Sequence, residues 1–212
     1  MDGPSSAGKT TIAKLIAKEV GFDYLDTGAL YRAVALSLRN NGIEQDDDDR
    51  KIRDALNSII ITFNNGKVIL NGKDVSEDIR STDIDHYSSI FSTRKIVRDF
   101  LLDIQRNAAL LSDIVVEGRD TTTVVFPNAQ KKIFMDASIE ERAMRRFLQF
   151  KEKGINISIE DAKRKIVERD ARDASRDIAP LKRAADALLI DSSNLTIEQV
   201  VNKILDFVRA DP

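Results

Sequence analysis

The chain contains no cysteine, so disulfides and thiolate metal sites are both excluded. It has one histidine, His86, which leaves no histidine-based metal cluster. Chemistry must therefore rest on Lys, Arg, Asp, Ser, Thr and a bound metal. No apolar run approaches the roughly 18 residues a membrane-spanning helix needs, and no secretory signal is visible. The expectation is a soluble, cytoplasmic protein with no membrane partner. There is also little excess of charge of either sign. A net charge of −2 over 212 residues provides no global basic field, so no nucleic-acid partner is expected. What the chain does have is 42% hydrophobic residues, enough for one domain with a sizeable core, or a core with insertions.

Against this background one stretch stands out. Gly3-Pro4-Ser5-Ser6-Ala7-Gly8-Lys9-Thr10 fits G-x-x-x-x-G-K-[ST], the phosphate-binding loop, at every specified position. Glycines let the backbone curl so that successive N–H groups face phosphate oxygens. The following helix aims its positive N-terminal end at the same anion. Lys9 supplies a point charge for the β- and γ-phosphates, and the Thr10 hydroxyl is placed to ligate Mg²⁺. From Thr11 to Val20 the pattern is an amphipathic helix with Ile12, Leu15, Ile16 and Val20 on one side. Residues Gly3 to Thr11 are thus the expected nucleoside-triphosphate site. A buried strand is expected before such a loop, yet only Met1 and Asp2 stand there. A misassigned start codon or a trimmed sequence is the preferred reading.

Further along, residues 22–25 are a short strand candidate, and Asp26-Thr27-Gly28 opens a helix to about Asn40 that Gly42 ends. The four carboxylates Asp46 to Asp49 read as a solvated loop and helix N-terminus. Residues 59–75 change character. Short β-branched runs separated by Asn65-Gly66 and Asn71-Gly72 predict an antiparallel meander. Thr93 to Leu111 is a long helix by pattern. Residues 114–117, 132–136 and 188–191 are buried strands, the last two followed by helices from Ser138 and from about Thr196. Strands alternating with helices argue a parallel, doubly wound α/β sheet, whose ligands bind beyond the strands' carboxyl ends. Gly118-Arg119-Asp120, Asp136 and Asp191 fall at such ends.

The stretch from Arg142 to Arg183 is rich in basic residues. Arg142, Lys151, Lys163 and Lys165 read as solvated, salt-bridged helix positions. Arg169, Asp173 and Arg176 are spaced to share one helical face, either as an ion-pair ladder or as an arm that closes over phosphates.

Gly3 to Thr10, Asp26-Thr27-Gly28-Ala29-Leu30-Tyr31-Arg32, Glu117-Gly118-Arg119-Asp120 and Glu168-Arg169-Asp170 through Ala179-Pro180-Leu181 occur in this order. Together with Val124-Val125-Phe126-Pro127 and Ala185-Asp186-Ala187-Leu188 they resemble the bacterial cytidylate (CMP) kinases over essentially the whole chain. The resemblance implies the P-loop nucleoside-monophosphate kinase fold. That fold is α/β, a five-stranded parallel sheet flanked by helices with a small antiparallel insert and a helical lid. It implies one domain with its core at 1–50, 91–145 and 179–212, a monophosphate-binding insert at about 51–90 and a lid at about 146–178. It implies transfer of the ATP γ-phosphoryl group to CMP, and to dCMP, with Mg²⁺, by a monomer serving pyrimidine metabolism. Arg32, Arg119 and Arg176 would hold the acceptor phosphate, making them catalytic together with Lys9. Ser89, Arg98 and Asp120 would read cytosine, Arg169 and Asp173 would touch the ribose, and Thr27 completes the CMP set. The family usually carries Asp-Ile-Gly-Thr after that arginine. Here Asp120 precedes Thr121-Thr122-Thr123, and loss of the glycine predicts a stiffer or reshaped loop.

The base assignment is chemically coherent. Cytosine offers an amino donor at N4 and acceptors at N3 and O2, while Asp120 can only accept and Arg98 can only donate. The alternatives are another small P-loop kinase acting on UMP, AMP or a metabolite hydroxyl, and a non-catalytic nucleotide switch. A guanine-reading N-K-x-D motif is missing, since Asp206 lies one residue too far from Asn202-Lys203.

Overall fold

The structure, a computed structural model, describes residues 1–64, 66–110 and 112–210. Asn65 of the expected Asn65-Gly66 turn and Leu111, the expected end of the long helix, lie outside the described residues. In chain order the elements are α1 (Lys9–Val20), β1 (Asp23–Asp26), α2 (Thr27–Asn40), α3 (Asp49–Leu56), β2 (Ile61–Asn64), β3 (Lys67–Leu70), β4 (Lys73–Asp74), α4 (Thr82–Phe91), α5 (Lys95–Ala108), β5 (Ile114–Glu117), β6 (Ile133–Asp136), α6 (Ile139–Glu152), α7 (Ile159–Ala174), β7 (Leu188–Asp191) and α8 (Ile197–Arg209). The chain divides into two compact units, one of residues 1–20 and 117–212, the other of residues 21–116. Among the described residues no helix is long and apolar enough to cross a membrane.

In the first unit β6 and β7 pair in parallel, Ile133 opposite Leu188 through Asp136 opposite Asp191. Asp2 bridges Phe134 on one side and Gly118 on the other, both in parallel. Its N–H donates to the Ile133 carbonyl at 2.9 Å and its carbonyl accepts from Met135 at 2.8 Å. The strand expected before the phosphate loop is thus a one-residue bridge, too short to count as a strand. Accordingly the sheets have two or three strands each, β1–β5, β2–β3–β4 and β6–β7, and the expected five-stranded sheet is not seen as one ladder. Apolar spacing explains the helix packing. Ile12, Ala13 and Ile16 of α1 and Val200, Ile204 and Leu205 of α8 are buried, and the two helices pack together. A capping box at Thr196 and Gln199 opens α8, at the start expected for this helix.

In the second unit Asp26 caps α2 by accepting from Ala29 N at 3.0 Å, and Asp48 of the acidic run caps α3. Strands β2, β3 and β4 form the expected antiparallel meander. Helix α4 is absent from the sequence expectations. Its stretch is rich in Ser and Asp, and its buried face includes Ser88 and Ser89 beside Ile84 and Phe91. Packing against the apolar stripe of α2, aided by a Ser81 cap, outweighs weak local propensity.

Candidate functional site

The phosphate loop turns as the motif requires. Gly3 has φ +150°, and a Cβ there would lie 1.9 Å from the Met135 carbonyl oxygen, so only glycine fits against β6. Ser6 and Gly8 take positive φ of 60° and 94°. Such alternation turns successive N–H groups into one concavity suited to an anion.

The loop's carbonyl side is pinned from outside by residues that the motif does not name. On α6, Arg145 donates to the Ala7 carbonyl at 3.3 Å and to the Ser192 carbonyl at 2.8 Å. The buried Ser192 hydroxyl shares its one proton between the carbonyls of Ala7 and Asp136, at 3.3 and 3.0 Å. Arg142 donates to the carbonyls of Ser5 and Ala137 at 3.2 and 3.0 Å and pairs closely with Asp170. Asp170 in turn accepts from the Ser5 N–H at 2.9 Å. Arg142 was expected on a solvated helix face, and the structure corrects this. Its side chain is largely buried because the loop's carbonyls need a donor there. Lys163 does stay on an exposed face, paired with Glu140.

Lys9 opens α1 and is buried. Its ammonium donates to the carbonyls of Gly3 and Pro4 at 2.7 and 2.8 Å, crossing its own loop. Burial lowers its pKa to about 7, with Arg119 and Arg169 adding repulsion against the attraction of Glu117 and Asp2. The sign of the consequence is fixed. In the unfolded chain Lys9 keeps its proton up to the ordinary value of 10.5. Between about pH 7 and 10.5 the unfolded chain therefore binds more protons there, and stability rises with pH. The slope contributed by this one group should approach about 1.4 kcal/mol per pH unit in mid-window. Urea unfolding of the nucleotide-free protein and of Lys9→Met across this window checks it, the variant losing the rise. Identical pH profiles would rule out a neutral-prone Lys9.

The same unit gathers three of the expected acceptor arginines around one carboxylate, Asp173, itself an expected acceptor residue. Asp173, at the end of α7, accepts from Arg119 Nε at 2.9 Å and lies 3.8 Å from Arg176 Nη1. Burial opposes its charge, but Arg119, Arg169 and Arg176 outweigh this and hold it below the usual carboxylate range. Arg119 also donates to the Gly3 carbonyl at 2.6 Å, linking the cluster to the phosphate loop. One detail differs from the sequence reading. Helix α7 ends at Ala174, so Arg176 lies beyond it and returns to Asp173 through a bond from Nε to the carbonyl. The helix therefore ends two residues before Arg176, and the shared helical face carries Arg169 and Asp173 alone.

Asp120 is buried, and its carbonyl accepts from Val124 and Val125. The next residues form a single wide helical turn, Thr121–Val125, closed by Phe126 N–H on the Thr121 carbonyl at 2.8 Å. None of them has a positive φ, so no glycine is demanded in this loop. The threonines that stand where the family resemblance implies Ile-Gly meet Asp2. Its carboxylate accepts from the N–H and hydroxyl of Thr121 at 2.9 and 2.8 Å and from those of Thr122 at 2.7 and 2.6 Å.

The remaining expected residues lie in the second unit. Thr27 and Ser89 are buried. Arg32 pairs with Asp26 at 2.8 Å, while its Nε is buried without a hydrogen-bond partner. Arg80, absent from the sequence expectations, lies 3.6 Å from the same carboxylate. Burial resists the charge on Asp26, and Arg32 and Arg80 nevertheless keep its pKa low. Arg98 is buried on α5, donates to the Ser92 carbonyl at 3.1 Å and sits over the Tyr31 ring at 5.5 Å. Both carboxylates, Asp26 and Asp173, store guanidinium groups in place, which is what an anion site requires before its ligand arrives. His86 is exposed on α4 and takes no part in either cluster.

Asp2, Arg80, Arg142, Arg145, Asp170 and Ser192 escaped sequence reasoning. Each acts through a partner distant in the chain, and no local spacing marks it.

Comparison with known proteins agrees with the geometry. The sequence profile of the family described as cytidylate kinase matches residues 1–210. The cytidylate kinase of Thermodesulfovibrio yellowstonii is 50% identical, over all of this chain and 97% of its own length. That of Thermosipho melanesiensis is 48% identical over 99% of this chain and 95% of its own length, and that of Thermotoga maritima 42% over 99% and 95%. With a phosphate loop, a carboxylate-centred arginine cluster and these full-length relatives, the chain belongs to the cytidylate kinase family.

Proposed function

We propose that this protein transfers the γ-phosphoryl group of ATP to CMP, and also to dCMP, giving ADP and the corresponding diphosphate. The observation that carries the reading is the buried Lys9 in its phosphate loop, tied by Arg119 to the Arg169–Asp173–Arg176 cluster. One unit thereby offers cationic positions for both a donor and an acceptor phosphate. Arg32, Arg119 and Arg176 are the proposed ligands of the acceptor phosphate, with Ser89, Arg98 and Asp120 reading cytosine. Arg169 and Asp173 serve the ribose, Thr27 completes the CMP set, and Gly3 to Thr11 take ATP.

The attacking atom is an oxygen of the CMP phosphate. Its second pKa is about 6, so it is largely dianionic at neutral pH and needs no general base. It bonds to the γ-phosphorus as the bond from that phosphorus to the β–γ bridging oxygen breaks, and ADP carries away the electron pair. The protein's task is to hold mutually repelling anions in line around a loose transition state. Lys9 leaves the Gly3 and Pro4 carbonyls for the β- and γ-phosphates. The arginines exchange carboxylate partners for phosphate oxygens.

Among the described residues there is no group of three acidic or histidine side chains fit to hold a metal by themselves. This suits Mg²⁺ that arrives with ATP and keeps phosphate and water ligands. The half-buried Thr10 hydroxyl at the start of α1 would be the chain's own ligand. When bound, the metal neutralises phosphate charge.

The wider organisation proposed is the family fold, a monomer acting in the cytoplasm. That fold would have a five-stranded sheet, a reading supported by the parallel bridges of Asp2 to Gly118 and to Phe134. Residues 51–90 form the monophosphate-binding insert, residues 146–178 the lid, and the rest the core. An acceptor panel tests the function. ADP release with ATP and Mg²⁺ should be fastest with CMP or dCMP and at least about tenfold slower with UMP, AMP or shikimate, since one mismatched buried group costs about 1–3 kcal/mol. Equal rates across the panel, or binding without acceptor-dependent turnover, would defeat it.

A further inference from the structure

Asp2, a fully buried carboxylate with four protein donors around it, is not one the mechanism uses. Asp2 is 0% exposed, and it holds two backbone N–H groups and two hydroxyls from Thr121 and Thr122. Those N–H groups are the leading donors of the turn over residues 121–125, whose first amides have no acceptor within the turn itself. A carboxylate 119 residues away in the chain satisfies them both. The hydroxyl bonds exist because this chain has Thr-Thr where its family resemblance predicts Ile-Gly.

The position of this clamp matters more than its strength. Asp2 is covalently joined to Gly3, the first residue of the phosphate loop, and Thr121 to Asp120, the proposed base reader. Arg119, one residue earlier, donates to the Gly3 carbonyl at 2.6 Å. Residues 2–3 and 119–122 are thus fastened at five points, four through the Asp2 carboxylate and one through Arg119. Main-chain bonds from Gly118 N–H to the Met1 carbonyl at 3.0 Å continue the contact. A segment held this way fixes where the backbone presents Arg119 and Asp120. Charge-assisted bonds of this geometry are the strong kind.

We propose that Asp2 is a positioning residue for the acceptor, its carboxylate holding Thr121 and Thr122 so that Arg119 and Asp120 face the acceptor nucleotide in register with the phosphate loop. The inference rests on the reading of Arg119 and Asp120 as CMP ligands. It predicts that loosening the clamp weakens the acceptor selectively, because the Ser5 and Ala7 carbonyls of the phosphate loop keep their own supports from Arg142, Arg145 and Ser192.

The test compares Asp2→Asn, the pair Thr121→Val with Thr122→Val, and the pair Thr121→Ser with Thr122→Ser. Calorimetry of CMP and ATP binding is run beside steady-state kinetics and melting curves. Misplacement of a catalytic contact by about 1 Å costs on the order of 10²-fold. Asp2→Asn and the valine pair should therefore weaken CMP binding and raise its KM about tenfold or more, with ATP affinity changed less than about twofold. The serine pair keeps both hydroxyls and should behave as the parent. Should Asp2→Asn not fold, the valine pair decides alone, since it leaves the carboxylate and both N–H bonds in place. Equal loss for both nucleotides, loss that merely tracks the folded fraction, or no loss overturns the proposal. Asp120→Asn runs in parallel. If it weakens CMP while the clamp variants do not, the clamp alone is refuted; if it too leaves CMP untouched, the base reading beneath it falls.

Discussion

Lys9→Ala is expected to lower turnover by about 10²–10³-fold, the usual cost of removing one preorganised charge aimed at a transferring group. The expectation follows from where the ammonium sits. It is buried, and its pKa falls to about 7 because water is excluded and Arg119 lies close. In the nucleotide-free protein it donates to the Gly3 and Pro4 carbonyls, at 2.7 and 2.8 Å. Polyphosphate oxygens are far better partners for a desolvated cation than neutral carbonyls, so the charge moves to them when they enter. Alanine leaves the loop without that charge. The fold should survive, since Ile12, Ala13 and Ile16 keep α1 packed and the variant removes a buried cation that is costly to keep. Steady-state kinetics with melting curves checks both halves. Unchanged turnover in a folded variant would remove the phosphate loop from the reaction.

The second large effect concerns the acceptor base. Asp120→Asn is expected to cut kcat/KM for CMP by about 10²-fold, with the KM for ATP moving less than about threefold. A carboxylate can only accept, which matches the cytosine amino group. An amide can turn its NH₂ toward the site and present a donor instead. That arrangement suits uracil, whose position 4 is an acceptor, so the preference for CMP over UMP should narrow at the same time. Asp120 is buried, and an unmatched polar group there has no water to fall back on. Kinetics with CMP, UMP and ATP varied in turn measures all three effects. Parallel losses on both substrates would argue against base reading and for simple damage to the loop.

Legibility in the sequence differed between local and distant effects. The helices α1, α2, α5, α6 and α8 follow from apolar spacing and capping residues such as Ser138 and Thr196, which act within one turn. The meander follows from β-branched runs and tight-turn residues. Helix α4 did not, because its buried serines carry no hydrophobic period and only the face of α2 selects it. Arg176 was misplaced by spacing alone, since a run of helical register says nothing about where the helix stops.

The sequence by itself determined the phosphate loop, the alternation of strands and helices, and the identity of the arginines and carboxylates available for chemistry. These are properties of neighbours in the chain, governed by backbone freedom, side-chain period and functional-group type. Tertiary structure alone decided how those groups are held. It set Arg142 and Arg145 against the loop's carbonyls, drew Arg119 to Asp173, and closed Thr121 and Thr122 on Asp2. The physical reason is that a buried polar atom must find a partner wherever the fold brings one, and those partners lie from 54 to 138 residues apart along the chain.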